Sequence, residues 1–197
     1  MLKLKEKDIT KAANTLVRSF WNDSYVRLLA ADEAERKRIM PHFFKFVLSY
    51  GILYGSAYAA SPNFEGVAIW LPSQYAKMTL ELMNKAGAEE LYRQVGEDVM
   101  ARVRPVDDFV QAKHEQLIST PHWYLAFIGI DPDCQGMGIT SKLIKPMLEE
   151  FTQESLPCYL ETNTEKNVAI YEHYGFRLLE KFNVSLTDLT FYAMLKN

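Results

Sequence analysis

The sequence predicts an α/β protein with a mixed sheet, and three observations support this fold class. From Trp123 onward the apolar pattern alternates strand, glycine-rich turn, helix, strand and helix. Two further strand patterns, 176–184 and 189–195, follow and predict an antiparallel edge. The 197 residues, 48% of them hydrophobic, are enough for one well-buried core and too few for two.

The part of the chain before Trp123 predicts helices and one hairpin. The predicted helices span 8–21 and 32–50, the predicted strands 53–59 and 65–71, and a helical block 74–118. Asp8 is placed to cap the first helix, and Gly51 to stop the second. The turn Ser61-Pro62-Asn63 joins the two strands into a hairpin. Breaks in the helical block are expected near Gly87, Gly96 and Pro105.

The segment Gln135-Gly136-Met137-Gly138-Ile139-Thr140 follows an apolar strand and opens an apolar-periodic helix. Gly136 and Gly138 can take backbone angles that are closed to other residues. Consecutive N–H groups can then converge on a phosphate at the positive end of the helix dipole. The segment therefore predicts a site for a pyrophosphate-bearing cofactor.

Two nucleotide-binding motifs compete for this loop. A Walker loop fails, because one residue separates the glycines and Lys142 follows Ser141 rather than preceding it. A dinucleotide fingerprint matches both glycines but has Ser141 at the third, with Glu161 near the position of a ribose-binding acid. The loop lies late in the chain, which leaves too few residues for further βα units. A nicotinamide-dependent oxidoreductase thus stays open as an alternative.

A third interpretation depends on resemblance. Gln135-x-x-Gly138 resembles the acyl-coenzyme A signature of the GNAT N-acetyltransferase superfamily, with Thr140 where that signature has Gly or Ala. The run from Asn167 through Tyr171 to Gly175-Phe176 resembles its second signature. Two motifs in the right order are far more specific than one. Within the superfamily, the C-terminal third is similar to puromycin N-acetyltransferase and its uncharacterised relatives.

The resemblance implies a GNAT-type mixed, mostly antiparallel sheet of about six to seven strands with helices on both faces. The block 74–118 is then a helical insertion between the third and fourth strands. The chain is expected to be a single acetyltransferase domain over 1–197, with N-terminal helices and a hairpin in 1–73 and an acetyl-CoA-binding core in 119–197. Acetyl-CoA is expected as the acetyl-donating cosubstrate, and a primary amine as the direct acceptor.

Carried onto this sequence, the resemblance gives a set of site residues. The cofactor-binding set is Ile128, Gly129, Ile130, Gln135, Gly136, Met137, Gly138, Ile139, Thr140, Ser141, Asn167 and Tyr171. Backbone N–H groups at the splayed strand end are expected to polarise the thioester carbonyl, and Gly129 would tolerate a bulge there. Tyr171 is expected to protonate the departing sulfur, unless it is a core tyrosine.

The general base is less clear, because Tyr124 stands where some family members carry a glutamate. Glu161 is the first candidate, since it ends an apolar strand at the edge of the cleft, where burial would raise its pKa. A salt-bridged strand end is the competing interpretation. Glu65 and His122, each at a strand start, are weaker candidates.

The composition of the chain argues against some classes of binding partner. A net charge of −3 without segregated basic residues argues against nucleic acid. Cys134 and Cys158 form no metal-spaced pair, so no metal is expected. The absence of a signal-like or membrane-like segment predicts a cytoplasmic protein. The likeness to puromycin N-acetyltransferase implies a small-molecule amine as the acceptor, and a monomer or homodimer is expected. A catalytically weak coenzyme A-binding regulator remains an alternative. Aromatic residues between Trp21 and Tyr75 are expected to be mostly core.

Overall fold

The computed structural model describes residues 1–185 and 187–197. Its strands are β1 Leu2–Lys3, β2 Ser56–Ala59, β3 Gly66–Pro72, β4 Trp123–Ile130, β5 Cys158–Thr162, β6 Arg177–Asn183 and β7 Thr190–Lys196. They form one seven-stranded sheet in the order β1-β2-β3-β4-β5-β7-β6. Neighbours in the described ranges pair antiparallel, except that β4 and β5 run parallel. The predicted mixed, mostly antiparallel sheet is confirmed.

Helices cover both faces of the sheet. Within the described ranges they are α1 Ile9–Ser19, α2 Ser24–Leu29, α3 Glu33–Tyr54, α4 Leu80–Lys85, α5 Ala88–Val95, α6 Glu97–Leu117, α7 Ile139–Gln153 and α8 Glu165–His173. None of them is long and apolar enough to cross a membrane. Because alternate residues of a strand face opposite ways, β3 contributes Val67 and Ile69 to the core beneath α1 and α3, and Ala68 and Trp70 to the core beneath α7.

Two predicted helix breaks are wrong, and packing explains both. Gly51 lies inside α3, where it allows the helix to approach the side chain of Ile69 closely, so the next strand begins only at Ser56. Pro105 lies inside α6, which stays continuous because Val103 and Val106 on either side are buried. Burial of neighbouring side chains outweighs the single hydrogen bond that proline removes.

Other breaks are confirmed. Gly87 and Gly96 adopt φ of 98° and 99° and separate the helices of the block, which lies between β3 and β4 as expected. Two short elements, β1 and α2, were not predicted. Asp23 caps α2 by accepting the N–H groups of Tyr25 and Val26 at 2.9 Å and 3.2 Å.

The parallel pair of strands opens into a gap. β4 and β5 are paired only at Trp123↔Cys158 and Tyr124↔Tyr159. Beyond these positions β4 continues along β3, and β5 along β7. Because the two strands separate while each keeps its other neighbour, their facing edges are left open in the middle of the sheet. This gap between the two core faces is where the candidate site lies.

Candidate functional site

The edge of β4 that borders the gap presents backbone donors. The Asp131 N–H donates to the Glu65 carbonyl on the β3 side at 2.8 Å. Consecutive N–H groups of a strand point to opposite edges, so the Gly129 N–H also faces β3, whereas those of Ile128 and Ile130 face the gap. Two of the three predicted backbone donors are therefore aimed at the open edge.

The expected bulge in β4 lies elsewhere than at Gly129. Leu125 pairs with Trp70 and Phe127 with Ile69, so Ala126 is the extra residue. Gly129 stays in the regular ladder opposite Val67, and a Cβ there would lie 2.8 Å from the Ser19 Oγ atom of α1. Gly129 thus serves the close packing of α1 on the sheet, and the strand is irregular nearer the point where β4 and β5 separate.

The glycine loop has the geometry that the sequence predicts. Gly136 and Gly138 have φ of 78° and 72°, and a Cβ added at either would meet nothing within 4 Å. Ile139 begins α7 and is buried, whereas Gln135 and Met137 are exposed. The first N–H groups of a helix have no partner within the helix. Here they border open space, so an anionic group can approach them.

The start of α7 is tied to the end of α8. The Ser141 hydroxyl lies 2.8 Å from the Tyr174 hydroxyl, so one of the predicted cofactor ligands has a side-chain partner within the protein. Thr140 is half-buried at the second position of the helix. Its backbone N–H remains one of the helix-start donors, and its Cβ is the departure from the family signature.

The second motif forms α8, which begins after Thr164. The Asn167 side-chain amide donates to the Thr162 hydroxyl at the end of β5, at 3.2 Å. One turn later, Tyr171 is buried with its ring edge against Phe176 at 5.9 Å between centroids. Burial raises the pKa of Tyr171 above its ordinary value, so the phenol stays protonated at neutral pH and can act as a proton donor.

Glu161 lies on the other face of the sheet. Tyr159 and Glu161 share one face of β5, whereas Cys158 and Leu160 pack beneath α7. Its side chain is 3% exposed, and among the described residues neither carboxylate oxygen has a hydrogen-bond partner. Burial raises the pKa of Glu161 to about 7, although the nearby phenols of Tyr159 and Tyr124 act in the opposite direction. A buried acid with this pKa suits proton transfer near neutrality.

The weaker candidates for the base are separated by the fold. Glu65 lies at the far end of β4, where its carboxylate accepts from the Ser61 hydroxyl at 2.6 Å and its pKa is lowered by that bond. His122 is buried close to Glu161, with His114 of α6 between them. Burial lowers the pKa of His122. The structure therefore brings Glu161 and His122 together and leaves Glu65 apart.

Asp107 of α6 is a neighbour of this site that the sequence did not reveal. The Tyr25 hydroxyl donates to Asp107 at 2.7 Å. Asp107 is exposed, but desolvation by the surrounding protein raises its pKa to about 6. The charges of Glu161 and Asp107 both raise the pKa of Tyr124, which places the two acids around that phenol. Tyr25 belongs to the aromatic set that the sequence predicts to be mostly core, and no pattern marked Asp107.

The sequence also led to expectations about the aromatic residues, the cysteines and a metal ion. Most of the aromatic set is core, as expected, with Phe44, Tyr50 and Trp70 fully buried. Cys158 is buried beneath α7. In the part of the chain that the structure describes, no three His, Cys, Asp or Glu side chains are grouped so as to hold a metal ion.

Comparison with known proteins gives related sequences and folds. Residues 99–176 match the model of the acetyltransferase (GNAT) family. An uncharacterised N-acetyltransferase of Schizosaccharomyces pombe is 28% identical over 183 residues, which are 88% of this chain and 72% of that protein. A solved structure of histone acetyltransferase HPA2 and related acetyltransferase from Corynebacterium glutamicum has a TM-score of 0.70 at 20% identity, covering 99% of this chain and 93% of its own. Arylalkylamine N-acetyltransferase 2 from Aedes aegypti has a TM-score of 0.61 at 14% identity, covering 98% and 96%.

These comparisons agree with the fold and with the two sequence signatures. The matched segment contains both signatures and most of α6, and the solved structures share the fold over nearly the whole chain. The narrower likeness to puromycin N-acetyltransferase is not shown by these matches. The oxidoreductase alternative, which depended on the glycine loop alone, is set aside. Residues 99–176 thus resemble the GNAT acetyltransferase family, and the related N-acetyltransferases support an acetyl-CoA-dependent acyltransferase.

Proposed function

We propose that this enzyme transfers the acetyl group of acetyl-CoA directly to the primary amine of a small molecule. The observation that carries the proposal is the Glu161 carboxyl group, buried and without a partner among the described residues, on the face opposite Tyr171. The phenols of Tyr124 and Tyr159 lie near the carboxylate but form no hydrogen bond to it in the structure, so its oxygens can still accept from a ligand. An ammonium group entering the gap between β4 and β5 supplies a donor.

The face beneath α7 and α8 suits the cofactor. Bound acetyl-CoA supplies the thioester. The N–H groups at Gly136 to Thr140 are the donors for its pyrophosphate. The N–H groups of Ile128 and Ile130 face the gap, where they can polarise the thioester carbonyl. Tyr171, protonated at neutral pH, gives its proton to the departing sulfur.

The opposite face suits the acceptor. An amine attacks only after its ammonium form has lost a proton, and Glu161 is placed to take that proton. A base whose pKa lies near the working pH combines a large deprotonated fraction with useful basicity. Direct attack needs no acyl-enzyme, and the buried Cys158 has a raised pKa that makes it a poor nucleophile.

The size and charge of the acceptor follow from the surroundings of Glu161. Asp107 adds a second carboxyl group to the cleft, and Tyr25, Phe43 and Phe127 form an aromatic cluster beside it, with Tyr25 and Phe43 6.5 Å apart between centroids. Carboxyl groups with aromatic rings favour a compact cation that carries apolar surface. The name of the Aedes aegypti relative makes arylalkylamines a sensible first group to test.

A thiol-release assay tests the proposal directly. Purified protein is given acetyl-CoA and a panel of arylalkylamines, linear diamines and amino acids, with N,N-dimethylated analogues as controls that cannot form an amide. We expect release of coenzyme A with at least one primary amine and with none of the tertiary controls. A separate melting experiment should show stabilisation by acetyl-CoA and none by NADH. Stabilisation by acetyl-CoA without turnover on any amine would instead support the coenzyme A-binding regulator, for which Thr140 in the loop is the motivating feature.

A further inference from the structure

Three buried groups form a continuous series that leads away from the substrate gap. The His122 Nδ1 atom lies 2.7 Å from the Thr120 carbonyl, and its Nε2 atom lies 2.8 Å from the Nε2 atom of His114. The His114 Nδ1 atom lies 3.6 Å from a carboxylate oxygen of Glu161. The side chains of His114 and Glu161 are 4% and 3% exposed.

These contacts fix the tautomers of both rings. A carbonyl oxygen only accepts hydrogen bonds, so the His122 Nδ1 atom carries the hydrogen and donates it to Thr120. In a neutral ring the His122 Nε2 atom then carries no hydrogen and can only accept a hydrogen bond. The His114 Nε2 atom must therefore carry a hydrogen and donate it to His122. The remaining nitrogen of His114, Nδ1, therefore presents a lone pair to Glu161.

Both rings are neutral in this environment. Burial lowers the pKa of His114 to about 3, with a further lowering from His122, and burial also lowers the pKa of His122. A lone pair facing a carboxylate gives no attraction, whereas the same lone pair accepts the O–H of a carboxyl group. The present 3.6 Å is longer than a hydrogen bond, as catalytic contacts often are before substrate is bound.

We propose that His114, held in one tautomer by His122 and the Thr120 carbonyl, is a positioning residue that accepts the O–H of Glu161 after Glu161 has taken the proton of the amine. The inference rests on the proposed function. One N–H bond of the substrate ammonium breaks as an O–H bond forms on Glu161, and the freed nitrogen pair attacks the thioester carbonyl carbon. The C–S bond then breaks as the sulfur takes the proton of Tyr171. The second proton that the nitrogen loses on becoming an amide restores the Tyr171 phenol. The proton leaves Glu161 to water once the product has left the gap.

The other groups around His114 and Glu161 have different effects on the pKa of Glu161. The phenols of Tyr124 on β4 and Tyr159 on β5 lower the pKa of Glu161, because their O–H groups favour the carboxylate. Other charges act one residue further away, namely Asp107 on Tyr124, Glu180 on Tyr159 and Glu115 on His114. Lys113 pairs with Glu180 at 2.7 Å, and Lys77 pairs with Glu115 at 3.1 Å. Of the groups that face Glu161, His114 is thus the one placed to favour its protonated form.

The pH profile of a His114→Gln variant tests the positioning role. The amide N–H of glutamine can donate to Glu161, which favours the carboxylate and lowers its pKa. We expect the acid limb of kcat/KM against pH to move down by about one unit, and kcat near neutrality to fall about 10-fold because the base is weaker. His42→Gln, a substitution on α3, is the matched control and should leave the profile unchanged. An unchanged acid limb in folded His114→Gln overturns the proposal.

Nuclear magnetic resonance provides a second measurement that needs no turnover. In wild-type protein labelled with ¹⁵N, we expect hydrogen on Nε2 of His114 and on Nδ1 of His122. Hydrogen on Nδ1 of neutral His114 would contradict the inference even if the variant failed to fold. The ¹³C titration of the Glu161 carboxyl should also move to lower pH in His114→Gln. If wild-type protein releases no coenzyme A with any amine, the proposed function fails. The measured tautomers would still show whether His114 presents its lone pair to Glu161.

Discussion

The face of the sheet beneath α7 and α8 and the face beneath α1, α2 and α6 carry functional groups of different kinds. On the first face the groups are backbone N–H donors at Gly136 and Gly138 and one buried phenol, Tyr171. On the second they are the buried acid Glu161 and the surface acid Asp107, whose pKa is also raised. Backbone donors are set by local geometry, whereas the pKa of a buried acid is set by residues far away in sequence. The first face can therefore be predicted from motifs, and the second only from the packed structure.

The largest effect is expected on the second face. Glu161→Gln keeps the shape of the side chain but removes the base, so kcat at neutral pH should fall by about 10³-fold. The loss should shrink as pH rises, because the amine then deprotonates in solution. Rate against pH for wild type and variant measures this. A wild-type profile in the variant would make Glu161 structural and would break the assignment of the base to this face.

The first face should respond differently to loss of its proton donor. Tyr171→Phe keeps the ring that packs on Phe176, so affinity for acetyl-CoA should hold while kcat falls by about 10²-fold. Unlike the loss in Glu161→Gln, this loss should persist at high pH, because solvent base does not replace an acid. Tyr92→Phe, on α5, is the control. Equal activity of both variants would mean that Tyr171 only packs the helix on the sheet.

The glycine loop should control affinity rather than rate. Gly138→Val forces a branched residue into positive φ and fills the open space beside the helix start, so acetyl-CoA should bind at least about 10-fold more weakly. Gly87→Val is a matched control, because Gly87 also has positive φ and open surroundings. Calorimetry on both separates backbone strain from loss of the site. Equal weakening of both variants would remove the loop from cofactor binding.

The smallest kinetic effect concerns the acceptor. Asp107→Asn should raise KM for cationic amines by about 5-fold at about pH 8, where Asp107 is charged, and have little effect at about pH 5. The pKa of this acid is raised, so its charge is lost as pH falls through about 6. The neighbouring exposed residue provides the control, Asp108→Asn. If the two variants behave alike at both pH values, Asp107 does not contact the acceptor.

Sequence-based prediction succeeded for the features set by local geometry and failed for those set by residues far apart in the sequence. The strand, the glycine loop and the helix after it lie within one short stretch, so their order and the positive φ of Gly136 and Gly138 were predictable. Gly51 was misjudged because its helix continues where it packs against Ile69, 18 positions later in the sequence. His114 carried no signal, since its partners His122 and Glu161 become neighbours only when α6 folds over β5.

The burial of Glu161 also couples acidity to thermal stability. Its folded pKa of about 7 exceeds the ordinary 4.5, so the folded state binds the proton more tightly than the unfolded state. The unfolding free energy should therefore fall as pH rises through this window, by on the order of 3 kcal/mol. Glu161→Gln should melt at a higher temperature than wild type at about pH 8. At about pH 4 the melting temperatures of the two proteins should differ little. The burial of Glu161 therefore costs least stability in mildly acidic solution and most where this base is ready to act. A cationic amine should therefore protect the protein against heat more at the higher pH.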